Sequence, residues 1–392
     1  MVDKARLCRY NDVINRGKGG LFMRKAYLDN VRWGVQIFVV LYHVFYMYNG
    51  VGVLGGLGRI TSYEPQWWDL FLYAVYPWLM PVLFLVSGIS AKYDLERHTD
   101  GEFARRRTVR LLVPSTVGLF VFQFLQGAVS MGLSGAFDTM EGIPGVVRYL
   151  IMTLSGIGVL WYLQVLWVLS MLLLLIRKIV RGRVPEIRLK KGYALLCAAL
   201  VVPVWAAGLI LNTPVIAVYR FGLYGAVFFL GYAVLSRDDA LGALKKWFPV
   251  FLAAALVLGA AFCFLYFGEN FADAPVNRTP LFAGYGWFAS LAILGGAARY
   301  ADRETAFTRR MARSSFGLYL FHYLGISAVA LFLVKPGRVS PAAAYILSTL
   351  AGFGAGWLLG ALIPRIPVLR WCVMGIEKRK SGEGKEEAHV RG

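Results

Sequence analysis

The chain has 392 residues, of which 58% are hydrophobic and 16% charged, with a net charge of +20 and a positive mean hydropathy. Soluble domains carry about a quarter charged residues, so this composition excludes an ordinary soluble fold and describes a membrane protein. Four cysteines (Cys8, Cys197, Cys263, Cys372) lack paired spacing, and neither a disulfide framework, a zinc site nor any other metal cluster is supported.

Residues 1–29 are basic and polar without the apolar core of a cleavable signal, and read as a cytoplasmic arm, with Met23 an alternative start. Ten apolar segments follow, at 30–50, 67–91, 109–131, 158–178, 192–212, 216–235, 247–267, 280–299, 314–334 and 341–363. Each is near the roughly 20 residues that span a bilayer as a helix. The expected fold class is therefore all-α and polytopic, one unit over 30–363 with about ten transmembrane helices. Turn-rich stretches such as "EGIPG" (141–145), "NTP" (212–214) and "KPGRVSP" (335–341) punctuate it. The end of the chain, 364–392, reads as a basic cytoplasmic tail, disordered over "EKRKSGEGKEE" (377–387).

Charge tests this layout. With both termini inside, the inner segments 1–32, 92–110, 177–191, 236–246, 299–313 and 365–392 hold 36 of the 42 Lys and Arg residues. Such alternation is what the positive-inside rule requires. Most of the net charge is then a topology signal, and no nucleic-acid partner is implied.

The first segment contains "RWGVQIFVVLYHVFYMY" (32–48). Arg32 and His43 are three helical turns apart, about 16 Å of rise, and share a face with Asp29, Gln36 and Tyr46. A polar edge at that depth costs a few kcal/mol unless it meets partners or a water-filled cavity, so it faces the bundle interior. Each polar residue alone has an ordinary reading: an arginine that snorkels to the interface, a histidine that ties two helices together. A second intramembrane histidine, His322, lies in "SSFGLYLFHY" (314–323), with Ser315 and Tyr319 near its face. The third segment opens with "FARRRTVRLLVPS" (103–115), where Arg105, Arg106, Arg107 and Arg110 cluster more densely than orientation needs. Guanidinium groups bind phosphate through directed, paired hydrogen bonds, which suits a polyphosphate ligand or an anionic headgroup. Pro114 bends the helix and frees backbone groups beside that cluster.

Taken in order, Arg32-x10-His43, "FLVSG" ending the second segment, "RRRTVRLLVP" opening the third, "WYL" (161–163) and "YLFH" on the ninth resemble the acyltransferase-3 family of integral membrane acyltransferases. The resemblance covers residues 24–363, as a bare membrane module, and the "MPVLFLVSG" run is similar to the branch that succinylates periplasmic glucans. It implies a multi-pass protein of the bacterial inner membrane, surrounded by membrane lipids. Its chemistry would be transfer of an acetyl, succinyl or similar group from cytosolic acyl-CoA, a co-substrate and not a bound cofactor. The acceptor would be a hydroxyl or amine on a glycan, a glycolipid or other lipid-linked molecule, or a small molecule of the cell envelope.

On that reading His43 is the general base or a transient acyl carrier, roles for which an imidazole is suited near neutral pH. Arg32 binds the CoA portion or orients the thioester, and Arg105, Arg106, Arg107 and Arg110 hold its phosphates. His322 polarises the thioester, binds acceptor or couples the helices structurally. Ser87 bonds the donor or merely lets helices pack closely. Trp161 and Tyr162 serve packing or the membrane interface, or else line the outer acceptor path, and Glu64 and Asp69 are ordinary outer acidic residues or orient the acceptor. A transporter of an anionic or lipid-linked substrate is the alternative, although no paired broken helices mark two related halves.

Overall fold

A backbone in hydrocarbon must satisfy its own N–H and C=O groups, and a helix does so within one segment. The computed structural model describes residues 25–180, 192–212 and 219–377, and all of its long elements are helices. In chain order these are α1 (Ala26–Met47), α2 (Trp67–Leu95), α3 (Asp100–Ser134), α4 (Gly145–Ser155), α5 (Gly158–Ile179) and α6 (Tyr193–Gly208). They continue with α7 (Phe221–Leu235), α8 (Asp238–Tyr266), α9 (Pro280–Tyr300), α10 (Ala306–Val334), α11 (Pro341–Arg365) and α12 (Pro367–Met374). Each of the ten expected apolar segments carries a helix over most of its described residues. Most of the expected N-terminal arm (with Cys8 and Met23), most of the basic 177–191 segment, residues 213–218 (from the expected turn at 212–214 and the start of the 216–235 segment) and the tail from 378 lie outside the described residues.

Seven helices (α2, α3, α5, α8, α9, α10 and α11) are long and apolar enough to cross a membrane, so the protein is a polytopic, all-α membrane protein. The helix α1 has the length, at 22 residues, but carries Asp29, Asn30, Arg32, Gln36 and His43. The helices α6 and α7 are shorter. Two elements depart from the sequence reading. Helix α4 interrupts the connection expected over 132–157, and α12 falls in the expected tail, where it packs against α3.

Burial ranks the helices. About two thirds or more of the apolar stretch is buried in α2 (67%), α9 (72%) and α10 (67%), against 22% in α8 and α11. The first three form the centre, and α1 packs against all of them. Small residues allow the closest approaches. Pro81 has no N–H for the Pro77 carbonyl, and Gly286 of α9 lies directly against that carbonyl, leaving no room for a side chain.

The α3–α4 pair sets the depth of α5. Helix α4 runs back along the far end of α3, and Gly156, just after α4, sits against the Gln123 backbone midway along α3. The 11 residues of α4 return the chain by about 16 Å before α5 begins. Helix α3 itself contains two π-helical turns, Thr108–Leu112 and Leu119–Gln123. Such turns shift the facing of later side chains and recur at functional sites.

Candidate active site

The packing of α1 on α10 joins the two intramembrane histidines. His43 Nδ1 lies 3.2 Å from His322 Nε2, and the ring centroids are 4.9 Å apart. His43 Nδ1 is also 2.8 Å from the Val39 carbonyl oxygen, and His322 Nδ1 is 2.9 Å from those of Leu318 and Tyr319. A carbonyl only accepts, so the hydrogen-bond network assigns a hydrogen to both Nδ1 atoms. His322 Nε2 then accepts from the shared Nδ1–H of His43. The second nitrogen of His43, Nε2, is left with its lone pair. His322 is fully buried and His43 only partly, so His43 is the more exposed member of the pair.

Tyrosines surround His43. The rings of Tyr42, Tyr46 and Tyr323 lie 5.3, 5.9 and 5.1 Å from its own. Two of them hold the loop after α1 over the pair: Tyr46 donates to the Leu54 carbonyl, and Tyr323 donates to that of Gly55 at 3.0 Å. Gly55 has φ +104°, and a Cβ there would run into the Tyr46 hydroxyl, so this close cover depends on glycine.

At the arginine end of the bundle is a cavity of about 920 Å³. Arg32, Ser87, Ser90, Arg106, Arg107, Arg110 and Tyr162 line it, and its lining holds six Lys and Arg side chains against Asp29, Asp94 and Glu377. The excess of positive charge suits an anion. Arg32 bridges Asp29, at 2.9 Å, and the Ser90 hydroxyl. Arg106 lies 3.6 Å from Asp94 and donates to His98, whose Nδ1 lies 3.0 Å from Asp94. Arg107 rests over the Phe103 ring at 4.8 Å. The π-helical turn at Thr108–Leu112 falls within this cluster, and Trp167 of α5 fixes it by donating to the Thr108 hydroxyl at 3.1 Å.

The structure thus gathers Arg32, Ser87, Arg106, Arg107 and Arg110 around one cavity, and brings His43 to His322. It sorts the other candidates differently. Arg105 is 72% exposed and paired with Glu377 at 2.9 Å, outside the lining. Tyr162, expected on the acceptor side, lines the arginine cavity because α4 has sunk the start of α5; its hydroxyl is 3.0 Å from that of Ser87. Trp161 packs on Tyr224 at 5.4 Å. Asp69 is buried with both carboxylate oxygens engaged, accepting from Gly50 N–H at 2.8 Å and from Gln66 Nε2 at 2.8 Å, so it secures the loop that covers the histidines. Glu64 is 68% exposed and ion-paired with Arg59.

Neither histidine lines the cavity; between them lies a tyrosine seam, the rings of Tyr162 and Tyr319 being 5.8 Å apart with Tyr319 one turn before His322. Tyr323, Ser90, Asp94 and His98 were not singled out from the sequence. Only Tyr323, one residue beyond His322, had a local signal.

No curated protein and no solved structure matches the chain. A family model does: the acyltransferase domain of the acyltransferase-3 family aligns with residues 25–361, from the first residue before α1 almost to the end of α11. With a histidine pair at the centre and a cationic cavity below it, the chain belongs to the acyltransferase-3 family and is a membrane acyltransferase.

Proposed function

We propose that the arginine cavity receives acyl-CoA and that His43 serves as general base for an acceptor hydroxyl or amine. The observation that carries this reading is the tautomer of the histidine pair, which leaves the lone pair of His43 Nε2 free. In the step inferred, the acceptor O–H (or N–H) gives its proton to Nε2 as its oxygen or nitrogen attacks the thioester carbonyl. Collapse of the tetrahedral intermediate breaks the C–S bond, and CoA leaves as the thiolate, to which the Nε2 proton returns. The imidazolium formed meanwhile keeps its Nδ1–H directed at His322 Nε2 and the Val39 carbonyl, two acceptors that stabilise the cation as a carboxylate does in a catalytic triad.

Arg106, Arg107 and Arg110 hold the phosphates, and Arg32, nearer the histidines, orients the pantetheine end. The rise of about 16 Å from Arg32 to His43 is comparable with the reach of a pantetheine arm. The acyl end passes the Tyr162–Tyr319 seam to arrive at His43. The arginine end faces the cytosol, where acyl-CoA is, which agrees with the distribution of positive charge. The acceptor approaches from the opposite side, beneath the loop secured by Asp69, and the tyrosines around His43 suit a glycan, whose sugar faces stack on aromatic rings while its hydroxyls bond. Such a protein would work in the inner membrane of a bacterium, on the cell envelope.

The test is binding of acetyl-, succinyl- and longer acyl-CoAs to detergent-purified protein, with H43A and R106A/R110A beside it. Binding that is weakened by the arginine pair and kept by H43A supports the reading. No binding of any acyl-CoA by folded protein overturns it.

A further inference from the structure

Three arginines near the start of α10 take no part in that site. Arg309, Arg310 and Arg313 line a second cavity, of about 560 Å³, between α10 and α11. Arg309 is occupied by Glu304 at 2.8 Å. Arg310 and Arg313 are exposed, and neither guanidinium has an ion-pair partner among the described residues.

The floor of this cavity is a close helix crossing. A Cβ on Gly317 would stand 2.6 Å from the Gly360 Cα, so the backbones touch, and Gly356, Gly360 and Ala361 leave a furrow where larger side chains would fill the space. Trp357 lines the same furrow and is 48% exposed. Indole rings favour the headgroup level of a bilayer. Beside it Leu358 and Leu362 face outward, exposed by 61% and 41%. Topology accounts for positive charge at this end of the bundle. It does not account for two unpaired arginines over a furrow that opens onto the apolar flank, an arrangement that binds anionic headgroups between transmembrane helices.

We propose that the α10–α11 furrow binds an anionic phospholipid, with its phosphate on Arg310 and Arg313, its headgroup at Trp357 and its acyl chains along the outward-facing Leu358 and Leu362. The site does not depend on the identity of the acyl donor. Met374, at the end of α12, lines both this furrow and the arginine cavity, so the bound lipid lies one side chain from the donor site. The same phosphate chemistry has a second source, the nucleotide end of CoA, and the experiment separates the two.

The full chain is reconstituted in mixed phosphatidylglycerol–phosphatidylcholine nanodiscs, released into detergent, and its retained lipids are counted by native mass spectrometry. The expected result is a roughly tenfold preference for phosphatidylglycerol, consistent with two arginines at a headgroup. R310A/R313A lowers it to near parity, and K245A/K246A, which removes two charges from α8 at the same end, leaves it intact. A361F fills the furrow with both arginines kept, and it too abolishes the preference, so the result does not rest on one variant folding. Undiminished phosphatidylglycerol retention in either furrow variant overturns the proposal. So does an equal loss in K245A/K246A, or a loss of CoA binding in R310A/R313A with lipid retention unchanged.

Discussion

His43 and His322 are 279 residues apart in sequence, and Nδ1 of the first lies 3.2 Å from Nε2 of the second. The pairing makes their contributions unequal. His43 presents the free nitrogen, and in the proposed mechanism His322 acts through it, as a positioning residue. General acid–base catalysis contributes about 10²–10⁴-fold, so H43A should lower kcat by that order. H322A should cost less, because the Val39 carbonyl still holds the His43 tautomer, and it should leave the donor KM unchanged. The double variant should be no slower than H43A alone, since removing the second member of a unit costs little once the first is gone. Steady-state kinetics on the three variants decide it, and full activity in H322A would remove the dyad from the mechanism.

Donor binding divides the arginines that look alike in sequence. Arg106 and Arg110 line the cavity, whereas Arg105 points to Glu377. A hydrogen bond to a charged group is worth about 1.5–3 kcal/mol, so R106A and R110A should each raise the acyl-CoA KM roughly tenfold or more with little change in kcat. R105A should stay near the parent value. A donor KM that rises equally in all three would mean a diffuse electrostatic effect, not a built phosphate site, and repeating the titration at high salt would expose it.

Much of this was legible in advance, for identifiable reasons. Apolar runs located ten helices because lipid tolerates little else. The Arg32-x10-His43 spacing placed both side chains on one edge of α1 by helix geometry alone. What the sequence could not show is tertiary. His322 meets His43 only because α1 packs against α10. Tyr162 looked like an outer residue because α5 was taken to start at a membrane surface, and the reversal at Gly156 against Gln123 starts it far deeper. Asp69 could be read only as an outer acidic residue, because its two partners, Gly50 and Gln66, sit in a loop with no periodicity to read.

Asp69 yields a prediction that separates structure from substrate contact. D69A strands the buried Gly50 N–H, at about 1–3 kcal/mol, and removes one of the two acceptors of the Gln66 amide, which keeps its bond to the Tyr48 carbonyl. The loop over the histidines should loosen. Hydrogen exchange across residues 49–66 should quicken, and the acceptor KM should change while acyl-CoA binding does not. Unchanged exchange together with a weakened acceptor would return Asp69 to a direct contact.

Ser87 is the last point at which two readings of the site diverge. Its hydroxyl lies in the arginine cavity and could be mistaken for a nucleophile, but its hydrogen-bonding partner is the Tyr162 hydroxyl at 3.0 Å, a weak base, and the histidine pair lies beyond the tyrosine seam. A nucleophilic serine requires a base within hydrogen-bond reach. S87A should therefore retain turnover, with at most a roughly tenfold rise in donor KM, the scale of one neutral hydrogen bond. Y162F, which removes the other half of the same contact, should match it. Intact-mass measurement of the protein after rapid mixing with acyl-CoA supplies the independent readout. An adduct of one acyl group on the parent that disappears in S87A would make Ser87 the acyl carrier and reduce His43 to its activating base. An unmodified mass with S87A still turning over leaves direct transfer to the acceptor, with His43 Nε2 as the atom that takes the proton.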